Sequence, residues 1–165
     1  MMAGPSLPVV AAGGAAVLAG TLLMRRDGSQ LDLSPPDPTH ITPHFTWAEF
    51  RSHDGVEPEG GDRENVKKTA SLLEVIRDHF DGSPVTVVSG FRSATHNDAV
   101  EGADHSQHLT GKAADITVAG ISNNDLAAGI EELIKNGDLP QGGLGVYPGW
   151  VHYDWRGYKA RWAGH

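Results

Sequence analysis

The residues of this chain best suited to chemistry are histidines and carboxylates in short apolar segments. Asp115 lies inside the run AADITV, where an ionised carboxylate is costly to bury without a partner. In the segment VHYD, strand alternation places His152 and Asp154 on one face, about 6.5–7 Å apart. A divalent metal bound by Asp115, by His152 and by His108 of the segment SQH would neutralise the charge of the Asp115 carboxylate. Three protein ligands plus a water molecule are the arrangement of catalytic zinc sites.

The same residues also have a structural interpretation. Asp115 would instead accept backbone N–H bonds or pair with Arg92, which follows a predicted buried strand. A histidine on a strand, such as His152, would then be a hydrogen-bonded core residue. Spacing alone leaves the metal site and the structural interpretation open.

Composition limits the class of protein. A length of 165 residues leaves room for one domain, or for one domain plus a tail. The formal net charge of −8 argues against a nucleic-acid partner, because phosphate binding needs a basic surface. The chain has nine histidines and no cysteine, which excludes disulfides, zinc–thiolate sites and thiol nucleophiles. Any transition metal would therefore be held by imidazole and carboxylate groups.

The elements that position these residues are predicted to be short, because glycine and proline are frequent. The clearest is a helix at 64–80, in which apolar residues recur at the spacing of one helical face. Asn123 or Asn124 is predicted to cap a second helix. The other predicted elements are a helical turn at 42–50, a loop at 53–61, a strand at 84–88, a long loop at 89–111, a strand at 113–118, and antiparallel strands at 142–147 and 150–155. This order predicts an α+β fold with a small, mostly antiparallel sheet and two main helices.

The N-terminal part of the chain differs from the rest. Residues 7–24 form an uncharged stretch that is followed by Arg25 and Arg26. Its length is close to the minimum for a membrane span, although its glycines lower its hydrophobicity. We expect a membrane anchor or a segment docked in a larger assembly, with a cleavable signal or a disordered leader as alternatives. The predicted organisation is a hydrophobic tail at 1–26, a Pro/Ser/Asp-rich linker at 27–40 and one domain at 41–165.

Four motifs follow one another along the predicted domain. They are SGFRSATHN (89–97), SQHLTGKAADI (106–116), GLGVYPGWVHYDWR (143–156) and ARW (160–162). In order and spacing they resemble the M15 family of zinc peptidases, specifically the M15A branch of D-alanyl-D-alanine carboxypeptidases and murein endopeptidases. The resemblance covers about residues 42–163. It implies an M15 or hedgehog-like α+β fold with a zinc site at the sheet.

The resemblance also implies roles for individual residues. It implies that zinc is bound by His108, Asp115 and His152, the same three residues that the burial argument selected. It implies that Arg92 binds the substrate's carboxylate or polarises the scissile carbonyl. Ser106 and Gln107 are expected to shape the zinc loop, and His105 either contacts substrate or lies in solvent. The candidate substrate-binding residues are thus Arg92, Ser106, Gln107 and His105.

One position departs from the family pattern. Some M15 branches carry an acidic general base three residues before the last histidine ligand, and Gly149 occupies that position here. Asp154 would then be the general base, or it would orient a ligand while another group takes the proton. The sequence leaves these two roles of Asp154 open.

The expected function is zinc-dependent hydrolysis of a peptide bond in peptidoglycan stem or cross-link peptides, by carboxypeptidase or endopeptidase action. One alternative is a catalytically weak module of the M15 fold that binds the wall or serves a structural role. Another is a membrane-anchored virion assembly component that acts through residues 7–24. The expected location is the membrane of a virion or cell envelope, anchored or exported, and a phage origin is favoured.

Overall fold

The computed structural model describes residues 37–164 of the chain. These residues form a short hairpin, four α-helices, one 3-10 helix and a five-stranded sheet. In chain order the elements are β1 (His40–Thr42), β2 (Phe45–Thr46), α1 (Trp47–Phe50), α2 (Gly60–His79), β3 (Val85–Ser89), α3 (Ala94–Ala99), the 3-10 helix (Gln107–Thr110), β4 (Ala113–Val118), α4 (Asn123–Asn136), β5 (Gly143–Val146), β6 (Val151–Asp154) and β7 (Ala160–Ala163). The α+β prediction is confirmed, with α2 and α4 as the two long helices.

The sheet has the strand order β3-β4-β6-β5-β7. Its neighbouring strands run antiparallel except β5 and β7, which are parallel. The two central pairs fix the register of the functional residues. Asp115 lies opposite His152 between β4 and β6, and His152 lies opposite Gly145 between β6 and β5. The predicted antiparallel pair of closing strands is therefore present, with β7 added beside it.

The two faces of the sheet have different roles because side chains alternate along each strand. One face packs against α2 and α4 and carries Ile116, Val151 and Tyr153, all fully buried. The helices contribute the apolar faces that their sequence periodicity predicted, including Leu73 and Ile130. The opposite face carries the polar residues of the same strands. The apolar core therefore fixes the strands whose other face holds the candidate site.

Two helix boundaries differ from the sequence prediction. Helix α2 begins at Gly60, so its first two residues lie in the segment predicted as loop and it starts four residues before the predicted helix. An acidic residue in its first turn, Asp62, favours the helix N-terminus electrostatically. Ser122 caps α4 by accepting a bond from the Asp125 backbone N–H, so the cap predicted at Asn123 or Asn124 is wrong. The Asn123 side chain instead donates to the carbonyls of the β5–β6 turn.

Four parts of the fold were missed because their sequences carry no periodic signal: α3, the 3-10 helix, the β1–β2 hairpin and β7. The predicted loop at 89–111 contains α3, capped by Ser93, and the 3-10 helix that carries His108. The predicted helical turn at 42–50 is a two-stranded hairpin followed by one turn of helix. Strand β7 has four residues and is paired in parallel with β5, which only the tertiary fold determines.

The predicted hydrophobic tail at 1–26 lies outside the described residues, as does most of the predicted linker at 27–40. Within residues 37–164, no helix has both the length and the apolar character needed to cross a bilayer.

Candidate metal centre

Three side chains from separate segments converge on the polar face of the sheet. The Asp115 Oδ1 atom lies 2.8 Å from His152 Nδ1 and 3.2 Å from His108 Nε2. The two imidazole nitrogens are themselves 3.2 Å apart. All three side chains are buried, with residue exposures of 2% for His108, 3% for Asp115 and 7% for His152. Within residues 37–164, this is the group of histidine and acidic side chains whose ligand atoms converge closely enough for a metal ion.

His108 is positioned by the 3-10 helix and its flanks. The Ser106 hydroxyl accepts a bond from the His108 backbone N–H at the start of this helix. Gly111 ends it with a positive φ of 69°, and a Cβ there would lie 2.7 Å from the Asp62 carbonyl oxygen. Glycine is therefore required at position 111 both for the turn and for the close approach of α2. These contacts fix the position of the His108 backbone relative to the sheet.

The hydrogen bonds of each imidazole determine which nitrogen faces the centre. His108 Nδ1 donates to the Gly90 carbonyl oxygen at 2.6 Å, because a carbonyl can only accept. Nε2 of His108 is then unprotonated and points at Asp115. His152 uses the opposite pair, since its Nε2 donates to Asp154 Oδ2 at 3.0 Å and its Nδ1 faces Asp115. The three converging atoms are therefore all electron-pair donors, which is the condition for a cation site.

The surroundings of the centre shift the pKa of each of the three converging residues. Burial lowers the pKa of His108, which favours its neutral form. Burial alone would raise the pKa of Asp115, but its contacts with the His108 and His152 imidazoles hold that pKa well below its usual range. Burial lowers the pKa of His152, yet bonds to Asp115 and Asp154 outweigh it and leave that pKa raised. Metal binding at this centre therefore competes with protonation of His152.

Asp154 lies behind His152, away from the point where the three ligand atoms meet. It is fully buried, and its oxygens accept from His152 Nε2, the Gly143 backbone N–H and the Arg156 guanidinium. Burial raises its pKa, but these donors hold the pKa of Asp154 well below its ordinary value. A general base works best with a pKa near the working pH and must reach the reacting water. Of the two roles left open for Asp154, the geometry favours orientation of His152.

Arg92 lies beside the centre on the segment that follows β3. Its Nη2 donates to Asp115 Oδ2 at 2.6 Å, and its Nε donates to Ser89 Oγ at 3.0 Å. Oδ1 of Asp115 therefore contacts the two histidines, and Oδ2 accepts from the Arg92 guanidinium. The pairing of Asp115 with Arg92, considered above as an alternative to a metal site, exists together with the three-ligand cluster.

The centre lies in a cleft of about 950 Å³. The candidate substrate-binding residues Arg92, His105, Ser106 and Gln107 all line it. Ser106 also caps the 3-10 helix, so its contact with His108 gives it a positioning role. Gly149 lies in the turn between β5 and β6, and a Cβ there would meet no atom within 4 Å. Since glycine has no side chain, position 149 does not supply the acid that some M15 branches carry there.

Sequence reasoning assigned no role to Arg156 or Trp162, and both contribute to the centre. The Trp162 ring lies 5.1 Å from the His152 ring, and Arg156 binds Asp154. Gly145 makes this possible, because a Cβ at that position would lie 2.4 Å from the Trp162 ring. The alternating glycines of the segment GLGV, Gly143 and Gly145, were the available signal: both lie on the polar face and leave space there.

Comparison with known proteins identifies the family of this chain. A family model described as Peptidase M15 matches residues 43–154. Over 54 residues the chain is 43% identical to a protein of Streptomyces albus G named "Zinc D-Ala-D-Ala carboxypeptidase". The matched stretch is 33% of this chain and 21% of that relative, so the similarity spans about a fifth of the relative's length. Because the family model matches more than half of the chain, and its match includes His108, Asp115 and His152, the chain belongs to the peptidase M15 family.

Proposed function

We propose that the protein is a zinc-dependent peptidase that hydrolyses a peptide bond in peptidoglycan stem or cross-link peptides. The observation that carries the proposal is the convergence of three buried electron-pair donors, from His108, Asp115 and His152, in a cleft of a peptidase M15 chain. The similarity to the Streptomyces albus G protein, whose name specifies a D-Ala-D-Ala substrate, supports a wall peptide as substrate.

The donor set fits zinc. Two imidazole nitrogens and one carboxylate oxygen are typical ligands of catalytic zinc, with bond lengths of about 2.0–2.2 Å. Tetrahedral bonds of that length place neighbouring ligand atoms about 3.3 Å apart. The separations here are 2.8, 3.2 and 3.2 Å, so small adjustments accommodate the ion. A zinc ion bound there supplies a Lewis acid that activates a water molecule and polarises the scissile carbonyl.

The chain's own residues then have distinct tasks. His108 and His152 present neutral nitrogens, and Asp115 supplies the anionic ligand. Arg92, at the side of Asp115, is placed to bind a substrate carboxylate or to stabilise negative charge that develops on the carbonyl oxygen. Because Asp154 is enclosed, we propose that the proton acceptor lies on the cleft wall, where Glu101 and Asp104 are the carboxylates besides Asp115.

The proposal is tested by digesting purified sacculi and identifying the released muropeptides by mass spectrometry. We expect new peptide fragments from the zinc-loaded protein and none after a chelator has removed the metal. Restoring zinc should restore the fragments. The mass of the fragments also separates the two modes, since a carboxypeptidase releases a single terminal residue and an endopeptidase separates cross-linked stems.

The Gly149 position favours a second candidate, a catalytically weak module of the same fold that binds the wall. Under that hypothesis the zinc-loaded protein would sediment with sacculi and release no fragments. Release of fragments at a rate proportional to protein concentration would exclude it.

We propose a membrane-associated location in a cell envelope or phage virion, through residues 7–24, which lie outside the described part of the chain. The apolar character of this segment supports the proposal. We expect the full chain to sediment with membranes after cell lysis and a chain without residues 7–24 to stay in the supernatant. Equal partition of the two proteins would contradict the proposal.

A further inference from the structure

We propose that Arg156 and Trp162 are positioning residues that hold the His152 imidazole in the orientation in which Nδ1 faces Asp115 and His108. The inference rests on the proposed zinc site and extends it to two side chains that do not touch the metal position themselves. Both residues follow His152 in the chain, Arg156 after β6 and Trp162 on β7.

Arg156 acts through Asp154. Its Nε donates to both carboxylate oxygens of Asp154, at 2.8 and 3.0 Å, and its Nη2 donates to Oδ2 at 2.5 Å. The Arg156 backbone N–H adds a bond of 3.1 Å to Oδ1. A guanidinium fork of this kind fixes a carboxylate in orientation as well as in position. Asp154 can therefore present Oδ2 to His152 Nε2 at 3.0 Å without rotating.

Trp162 acts on the ring of His152 directly. The two ring centroids are 5.1 Å apart with an interplanar angle of 47°. Trp162 is itself held, because its Nε1 donates to the Tyr147 hydroxyl at 2.9 Å and its ring fills the space left by Gly145. His108 lies against His152 from another side, with ring centroids 5.0 Å apart.

These contacts together decide which atom His152 offers to the centre. A half-turn of the imidazole about its bond to Cβ would exchange Nδ1 for a carbon and would also break the bond from Nε2 to Asp154. Trp162 and His108 restrict that rotation sterically, and the Asp154–Arg156 pair opposes it electrostatically. Residues that orient a ligating histidine in this way typically contribute about 10–100-fold to metal affinity.

The test measures zinc affinity by competition with a chromogenic chelator, using the full chain, zinc alone and no substrate. We expect Arg156→Gln to weaken zinc binding by about tenfold or more, because glutamine cannot hold both oxygens of Asp154. Arg156→Lys should recover part of that loss, and Trp162→Phe should weaken binding less than Trp162→Ala. Arg161→Lys is the matched control, since Arg161 pairs with Glu131 on α4 and should leave zinc affinity unchanged.

A second readout does not need the metal. In the zinc-free protein labelled with 15N histidine, the ring signals of His152 should show Nε2 protonated in the parent and should shift in Arg156→Gln and Trp162→Ala. Unchanged zinc affinity and unchanged His152 signals in folded Arg156→Gln and Trp162→Ala proteins would overturn the inference. If the parent protein binds zinc as described yet releases no muropeptides, the proposed function fails while the positioning role is still decided by these two measurements.

Discussion

His108→Ala is expected to remove both zinc binding and the release of muropeptides. Zinc binding free energies of about 10–16 kcal/mol are shared among a few ligands, so the loss of one ligand should cost about a thousandfold in affinity. The remaining pair, Asp115 and His152, would hold the ion too weakly for turnover at micromolar zinc. The measurement is zinc content of the purified variant together with fragment release from sacculi.

Two further variants make this result specific. His44→Ala is the control, because His44 is an exposed histidine that pairs with Glu74 outside the cleft. It should retain the zinc content and activity of the parent. Since His108→Ala also leaves the buried Gly90 carbonyl without its partner, His108→Asn serves as a second variant with a polar side chain. A folded His108→Ala protein that releases muropeptides at the parental rate would contradict the proposed site.

The second large effect is expected for Asp154→Asn, which separates its two candidate roles. An asparagine cannot accept from both His152 and Arg156 as the carboxylate does. If Asp154 orients His152, zinc affinity should fall by about 10–100-fold, and saturating zinc should restore most of the activity. If Asp154 were the general base, activity should fall by about 10²–10⁴-fold with zinc fully bound. We expect the first result, because Asp154 is fully buried behind the ligand that it contacts.

The same variant should also be less stable. Breaking a buried ion pair costs about 3–5 kcal/mol in unfolding free energy, and the low end applies because Arg156 keeps some contact with water. Glu131→Gln is the matched control, since Glu131 binds two cations at the protein surface. Surface pairs contribute about 0–1 kcal/mol, so this change should hardly alter the denaturant midpoint. Equal losses for Asp154→Asn and Glu131→Gln would show that Asp154 does not stabilise the fold as described.

The elements that carry the ligands differ in how well they could be predicted. Strand β4 was predicted with its observed limits because AADITV combines branched apolar residues with an isolated acid. The pair of β5 and β6 followed from alternation around a proline- and glycine-containing turn. The 3-10 helix carrying His108 was predicted as loop, since four residues fixed by a Ser106 cap and a Gly111 turn have no periodicity. His108 was therefore proposed as a ligand from its residue type and from the family resemblance, and not from a predicted element.

The sequence could not decide between the two roles of Asp154. Strand alternation placed His152 and Asp154 on one face, which is correct, but it cannot say which imidazole nitrogen points to which neighbour. That choice depends on Arg156, on the Gly143 N–H and on the position of Asp115 across the sheet. Trp162 comes from a strand whose parallel pairing with β5 has no local signal.

By itself, the sequence determined the α+β class, the family and the three convergent residues His108, Asp115 and His152. These depend on residue types, on local periodicity and on motif order, all of which are properties of short segments. The tertiary structure alone decided that Asp154 lies behind His152, that Arg92 shares Asp115 with the histidines, and that Trp162 occupies the space above Gly145. These are contacts between residues distant in the chain or between the atoms of one ring and its surroundings, so they are fixed by strand register and packing.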